Sequence, residues 1–395
     1  MREVIRALGA VALAYAAMGL TALAGLRLIG AGSPAGLVVA TVATAGGGTV
    51  DVAGVPAQGA RLGASVHGAI HVLPLGVSLV GALVLAAVLR RRAPSVRSLV
   101  TTVLAVPLAF ALPAPAGHGR LVIASPCAHR AYGLGGCQGG RPSLGEITLD
   151  YHTDVWRTAL GGLVWTLVVL TLVVLSSRHV RLPDGLAWVR PAVASSVAVV
   201  LWAVLAVVGA GLLLAVRSGP KAAGAALLLG PNVAFAALPV GIGVPWSAGP
   251  ATPLRGGAAH TGWSLTRIAH EHGLAWLVPV VFAAVVLLAA GVLTAARTPV
   301  PAGSAWRRRL TRAGRSALTT GILVAGMTAV AGVSAQLSVS VLGFSLPVIV
   351  LRAAGDILVA LVLGSAAGAV AGLAGGVLLD VLGRRVPVWR RRRTW

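Results

Sequence analysis

The stretch LDYHTDVW (149–156) sets Asp150, His152 and Asp154 at alternate positions, so on an extended strand all three side chains share one face. Carboxylate and imidazole donors at that spacing are a metal-ligand pattern. In AHEHG (269–273), Glu271 stands between His270 and His272, and imidazoles so exposed also offer pH sensing. Neither triplet has a partner at a fixed spacing, and external loops need polar residues anyway, so neither specifies an ion. Asp51 follows three glycines in AGGGTVDVAG (45–54), where it is either a cation or proton site or a cap for amides freed by a glycine turn. Asn232 and Asp356 complete the ligand or ion candidates. Asp356 also stands four residues after Arg352, the spacing of a helical ion pair.

Other chemistries are excluded. No Lys follows the glycines as a phosphate loop requires, and no strand–glycine–helix fingerprint for a dinucleotide surrounds them. No Cys, His and acid combine as an activated nucleophile. Cys127 and Cys137 share one hydrophilic loop, where a disulfide would stabilise the fold by about 3 kcal/mol in the chain-entropy model. The expectation is therefore a chain without catalytic residues or cofactor.

What must position these residues is a membrane fold. Hydrophobic residues make up 57% of the 395 and charged residues 10%, against about 25% in soluble domains. Mean hydropathy is +0.91. A helix needs about 20 apolar residues to cross the hydrocarbon core. The uncharged runs 7–26, 72–89, 98–117, 158–177, 191–216, 274–296, 316–334 and 357–379 predict eight spans, the first retained rather than cleaved as a leader. Stretches 34–50, 222–245 and 336–351 are apolar but interrupted by Gly or Pro.

Charge orders the threading. With eight spans and both termini cytoplasmic, 21 of the 32 basic residues and three of the nine acids fall on the cytoplasmic side. A single extra crossing would flip every later basic cluster, so the interrupted stretches are expected to re-enter or to lie along the outer interface. The fold class is thus an all-α integral membrane protein of the cytoplasmic membrane, with about eight transmembrane helices and up to three re-entrant or interfacial segments.

The order of elements repeats, which predicts two parallel four-span halves, 1–190 and 191–395. The first carries an external cysteine loop at 118–157 and the second a basic cytoplasmic tail at 384–395. Gly364, Gly368, Gly372 and Gly376 form an i,i+4 stripe suited to close helix packing. The Arg-rich loops suit anionic lipid, tryptophans cluster near predicted interfaces, and nucleic acid is not expected as a partner.

GGGTVDVAG, followed by HVLPLGVSLVGALVL and then LLLGPNVAFAALPVGIGVPW, resembles the streptophobe family, very hydrophobic polytopic proteins of actinomycetes. The resemblance runs along most of the chain and implies an integral membrane protein without an assigned activity, so no functional residue carries over from it. A fainter similarity, through GGG…PLGV and PN, is to actinobacterial membrane proteins of cell division and envelope stress. Together these lead to the expectation of a non-enzymatic protein with a structural or regulatory envelope role and a membrane-protein partner. The competing expectation is a transporter or channel, with its site between 34–51 and 222–246.

Overall fold

In the computed structural model, helix α1 (Arg2–Ile29) buries Ala7, Ala10, Ala14, Met18 and Ala22 on one face and leaves Leu8, Leu13 and Leu20 outside. The three-and-four spacing of the buried set is the helical period. Small residues inward and large apolar ones outward is the arrangement of a helix whose solvent is lipid. The structure describes the chain apart from residues 32–34, 57–64, 91–94, 124–146, 178–182, 184–187, 251–260, 264, 266–268, 271–272, 299–304, 342–343 and 386–395. Cys127, Cys137, Glu271 and His272 lie outside the described residues.

After α1 come α2 (Ala35–Ala45), the strands β1 (Val50–Pro56) and β2 (Ser65–His71), α3 (Leu75–Arg90) and α4 (Val96–Ala111). Then follow β3 (His118–Ile123), β4 (Ile147–Thr153) and α5 (Val155–Ser176). The second series is α6 (Arg190–Ser218), α7 (Pro220–Gly241), β5 (Trp246–Pro250), β6 (Thr261–Trp263), α8 (Leu277–Arg297) and α9 (Ala305–Ala331). It closes with β7 (Val333–Val341), β8 (Phe344–Gly355) and α10 (Ile357–Arg385). Two helices, a strand pair, two helices, a strand pair and a single helix therefore occur twice in the same order.

All eight strands join one antiparallel sheet, in the order β3-β4-β1-β2-β7-β8-β5-β6. Because every strand pair belongs to it, the helix pairs between them must leave the sheet and return. The sheet thus marks one end of the helical bundle, and the α3–α4 and α8–α9 turns mark the other. At that opposite end Glu3 accepts a hydrogen bond from Ser95 Oγ (2.6 Å).

The chain is a helical, multi-pass membrane protein by length and apolarity: α1, α4 with the turn after it, α5, α6, α7, α8 with the turn before it, and α10 could each cross. The sheet is added to this helical reading, and three expectations change with it. Segment 336–351 is not an interrupted helix but most of the β7–β8 hairpin. The β7 strand alternates, from Val333-Ser334-Ala335-Gln336 to Leu337-Ser338-Val339-Ser340, a period of two that hydropathy averaging erases. The expected span 72–89 is the 16-residue α3, and 316–334 is the apolar part of α9, whose first turns are Arg-rich. Segment 222–245 is not broken: α7 runs continuously through Pro231 and Pro239.

Pro231 stands in the interior of α7. Lacking an N–H, it leaves the Leu227 carbonyl without a helical donor, and that carbonyl lies against Gly76 at the start of α3. Residues of α7 meet the last turns of α1 (Gly25, Leu28 and Ile29), the first turn of α3 and Pro279 in the first turn of α8. Those are sheet-side ends, so α7 bridges the two series along that end of the bundle.

The segments before β1 and β5 end alike. Gly47 (φ 95°) closes α2 with Gly48 N–H on Ala43 O at 2.9 Å, and Gly243 (φ 95°) closes α7 with Val244 N–H on Pro239 O at 3.0 Å. A left-handed residue at this place satisfies orphan carbonyls, and glycine adopts it without steric cost. This is the role of the glycines in AGGGTVDVAG: turn first, strand second.

Along α10 the glycine stripe faces α9. A Cβ on Gly364, Gly368 or Gly372 would stand 2.9 Å from Val324 Cβ, 2.6 Å from Ser316 O and 2.8 Å from Ser316 Cβ. Bare backbone is what lets the two helices approach.

Candidate functional site

Alternation along the strands gives the β1–β4 region two unlike faces. Val52, Leu149 and Tyr151 point inward and pack with Leu37 and Ala40 of α2. Burial pushes the Tyr151 phenol above its ordinary pKa, so it stays neutral. The opposite face is polar. Register places His118 opposite His152 and His152 opposite Asp51, a row across three strands, with Arg120 opposite Asp150 one step along.

Within this face, Asp51 lies 3.9 Å from Arg157 Nη1 and 4.0 Å from His152 Nε2, with about a third of its side chain exposed. Arg157 is held from a second direction by Asp154, 3.6 Å from its Nε, and it donates to Thr49 Oγ1 at 3.4 Å. Asp154 caps α5, accepting from the amides of Trp156 and Arg157 at 2.8 and 3.0 Å. Arg120 pairs with Asp150 at 3.0 Å. Exposed pairs of this kind contribute about 0–1 kcal/mol each, so they set the pattern of the surface more than its stability.

The alternating triplet is therefore divided. Asp150 turns to Arg120, Asp154 to a helix N-terminus, and His152 to Asp51. Among the described residues no three His, Cys, Asp or Glu side chains form a group able to hold a metal. Asp51 does not cap the glycine turn; it sits in the ladder and takes a cation from α5. Asp356 repeats the role of Asp154, capping α10 by accepting from Leu358 and Val359 at 2.9 and 3.1 Å. The expected Arg352–Asp356 pair does not form, because Arg352 lies in β8, where four residues extend rather than complete a turn. Either cap replaced by Ala should lower stability by about 1 kcal/mol in a thermal melt, since two helix amides lose their acceptor.

No family model, curated protein or solved structure matches this chain. The reading of the surface therefore rests on its geometry.

Asn232, the remaining candidate, is committed to the backbone. Its Nδ2 donates to Leu73 O at 2.7 Å and its Oδ1 accepts from Leu75 N at 3.0 Å, clasping α7 to α3. The polar groups of 34–51 and 222–246 thus do not converge: Asp51 is in the sheet, while both amide functions of Asn232 are used. The cavity among α1, α3, α4 and α5, bordered by Tyr15, Met18, Phe110 and Trp165, is apolar and has room for about one water.

Sequence reasoning missed Arg157 and Thr49 as members of the polar cluster. The signal was present for Arg157: it stands three residues after a capping Asp, where an N-terminal turn brings the two side chains together.

Proposed function

We propose that this is a non-enzymatic, multi-pass protein of the cytoplasmic membrane that presents its sheet outside the cell as a platform for another envelope membrane protein. The observation that carries the reading is the single sheet, assembled from strands of both series at one end of an apolar bundle. Charge supports the orientation. Arg2, Arg6, Arg90, Arg97, Arg297 and Arg309 sit toward the end away from the sheet, whereas Asp51, Asp150, Asp154 and Asp356 sit at the sheet end. Retention of basic residues in the cytoplasm then sets both termini inside and the strands outside. The resemblance to streptophobe proteins supports an envelope role, and the Arg-rich end suits anionic lipid.

The test uses a chain with Cys127 and Cys137 replaced by Ser. A cysteine at Ser65 in β2 reacts with an impermeant maleimide on intact cells, and one at Trp306 in α9 reacts only after permeabilisation; the reverse pattern overturns the orientation. A photocrosslinker at Arg120 captures a membrane protein. Flux through proteoliposomes that depends on Asp51 or Asn232 would replace this reading with transport.

A further inference from the structure

The end of the bundle away from the sheet contains an arginine with no ion pair among the described side chains. Arg312 of α9 is buried, 8% exposed, and its Nε has no hydrogen-bond partner. It lies against Gly376, last of the α10 stripe: a Cβ there would stand 3.5 Å from Arg312 Nη1, in ordinary contact. One turn along, the Nε of Arg315 is likewise buried without a partner, and its guanidinium stands 5.7 Å from the ring centre of Trp188. Among the carboxylate side chains described, which do not include those of Asp184 and Asp380, none lies within 4.0 Å of either guanidinium.

A buried charge is retained in a fold only when something compensates it. Here the chain itself offers little, with nine acids against 32 basic residues. The guanidinium fork matches the paired oxygens of a phosphoryl group as well as those of the carboxylates this chain has so few of. Along the Arg315 side of α9, Leu318 and Ile322 are exposed, an apolar surface on which acyl chains can lie.

We propose that Arg312 and Arg315, with Trp188 orienting the latter, form a site for a phosphoryl oxyanion, supplied by the headgroup of an anionic phospholipid. The proposal deepens the anionic-lipid part of the function above and rests on it. Its test is run in detergent, so a failed orientation experiment would leave it standing. Protein in phosphate-free dodecyl maltoside is melted, with tryptophan fluorescence as the readout, against phosphatidylglycerol, diacylglycerol and inorganic phosphate. Phosphatidylglycerol at saturating concentration should raise the midpoint by roughly 5 °C or more, and diacylglycerol by nothing. An equal rise with inorganic phosphate would identify the free anion as sufficient. R312Q and R315Q should each lose most of the shift, while R120Q at the sheet end keeps it. Should R312Q fail to fold, R315Q and native mass spectrometry of the unaltered chain decide. Retention of one phospholipid supports the site. An unaltered chain without bound lipid or shift, or a shift equal in R315Q, overturns it.

Discussion

Replacing Gly368 by Ala should destabilise the protein by about 1–3 kcal/mol, although the same change on a free helix face stabilises by about 0.5–1 kcal/mol. The sign reverses because of what the new methyl meets. At Gly368 it would sit 2.6 Å from the carbonyl oxygen of Ser316 and 2.7 Å from Thr320 Cβ, backbone and a branched carbon that have little freedom to move. Gly326, on the same pair of helices, has nothing within 4 Å and supplies the control. Thermal melts in detergent should therefore move in opposite directions for Gly368→Ala and Gly326→Ala, with Gly368→Leu yielding little folded protein. If the two alanine variants melt alike, the contact between α9 and α10 is looser than described.

The second large effect belongs to Asn232. Its amide is the sole side-chain bridge between α7 and the start of α3 among the hydrogen bonds described, and both of its partners are backbone groups. Asn232→Ala leaves the Leu73 carbonyl and the Leu75 amide without partners beside a wall of apolar residues. At about 1–3 kcal/mol for each of the two unsatisfied groups, the loss is about 2–6 kcal/mol. Because backbone groups are affected, hydrogen exchange reads the effect directly: the Leu75 amide should exchange roughly tenfold faster or more, while amides in α5 keep their protection. Unchanged protection at Leu75 would mean that water or another group replaces the side chain without cost. A transporter whose ligand is held by Asn232 would instead show altered binding with unaltered stability.

Hydropathy and charge disclosed the membrane class, the positions of most helices and the end of the bundle where the arginines gather. They did so because lipid imposes the same demand on every helix, and a single sequence records it. The sheet was hidden for a physical reason. Most of its strands are short, and β1 and β4 carry apolar residues because one face packs on α2. Val50 and Val52 therefore read like the continuation of an apolar run, and so does the β8 segment Val348–Leu351. Alternation in LDYHTDVW marked an extended segment, and there the triplet specified no ion. Asp150 and Asp154 were legible as polar residues on an extended segment. That each would find its own partner depended on Arg120, 30 residues earlier, and on the helix that begins at Val155.

The junction between β2 and β7 has one more implication. By element order, β7 is to the second series what β3 is to the first, and β6 corresponds to β2. The seam in the middle of the sheet therefore joins two unlike borders, and the outermost strands, β3 and β6, are the same two kinds of border with no further strand paired to them among the described residues. Contacts of this head-to-tail sort carry no built-in limit and extend until a ring closes or an end is spoiled. Among the described residues β6 pairs with β5 through Thr261, Gly262 and Trp263, whereas β2 pairs with β1 through five residues.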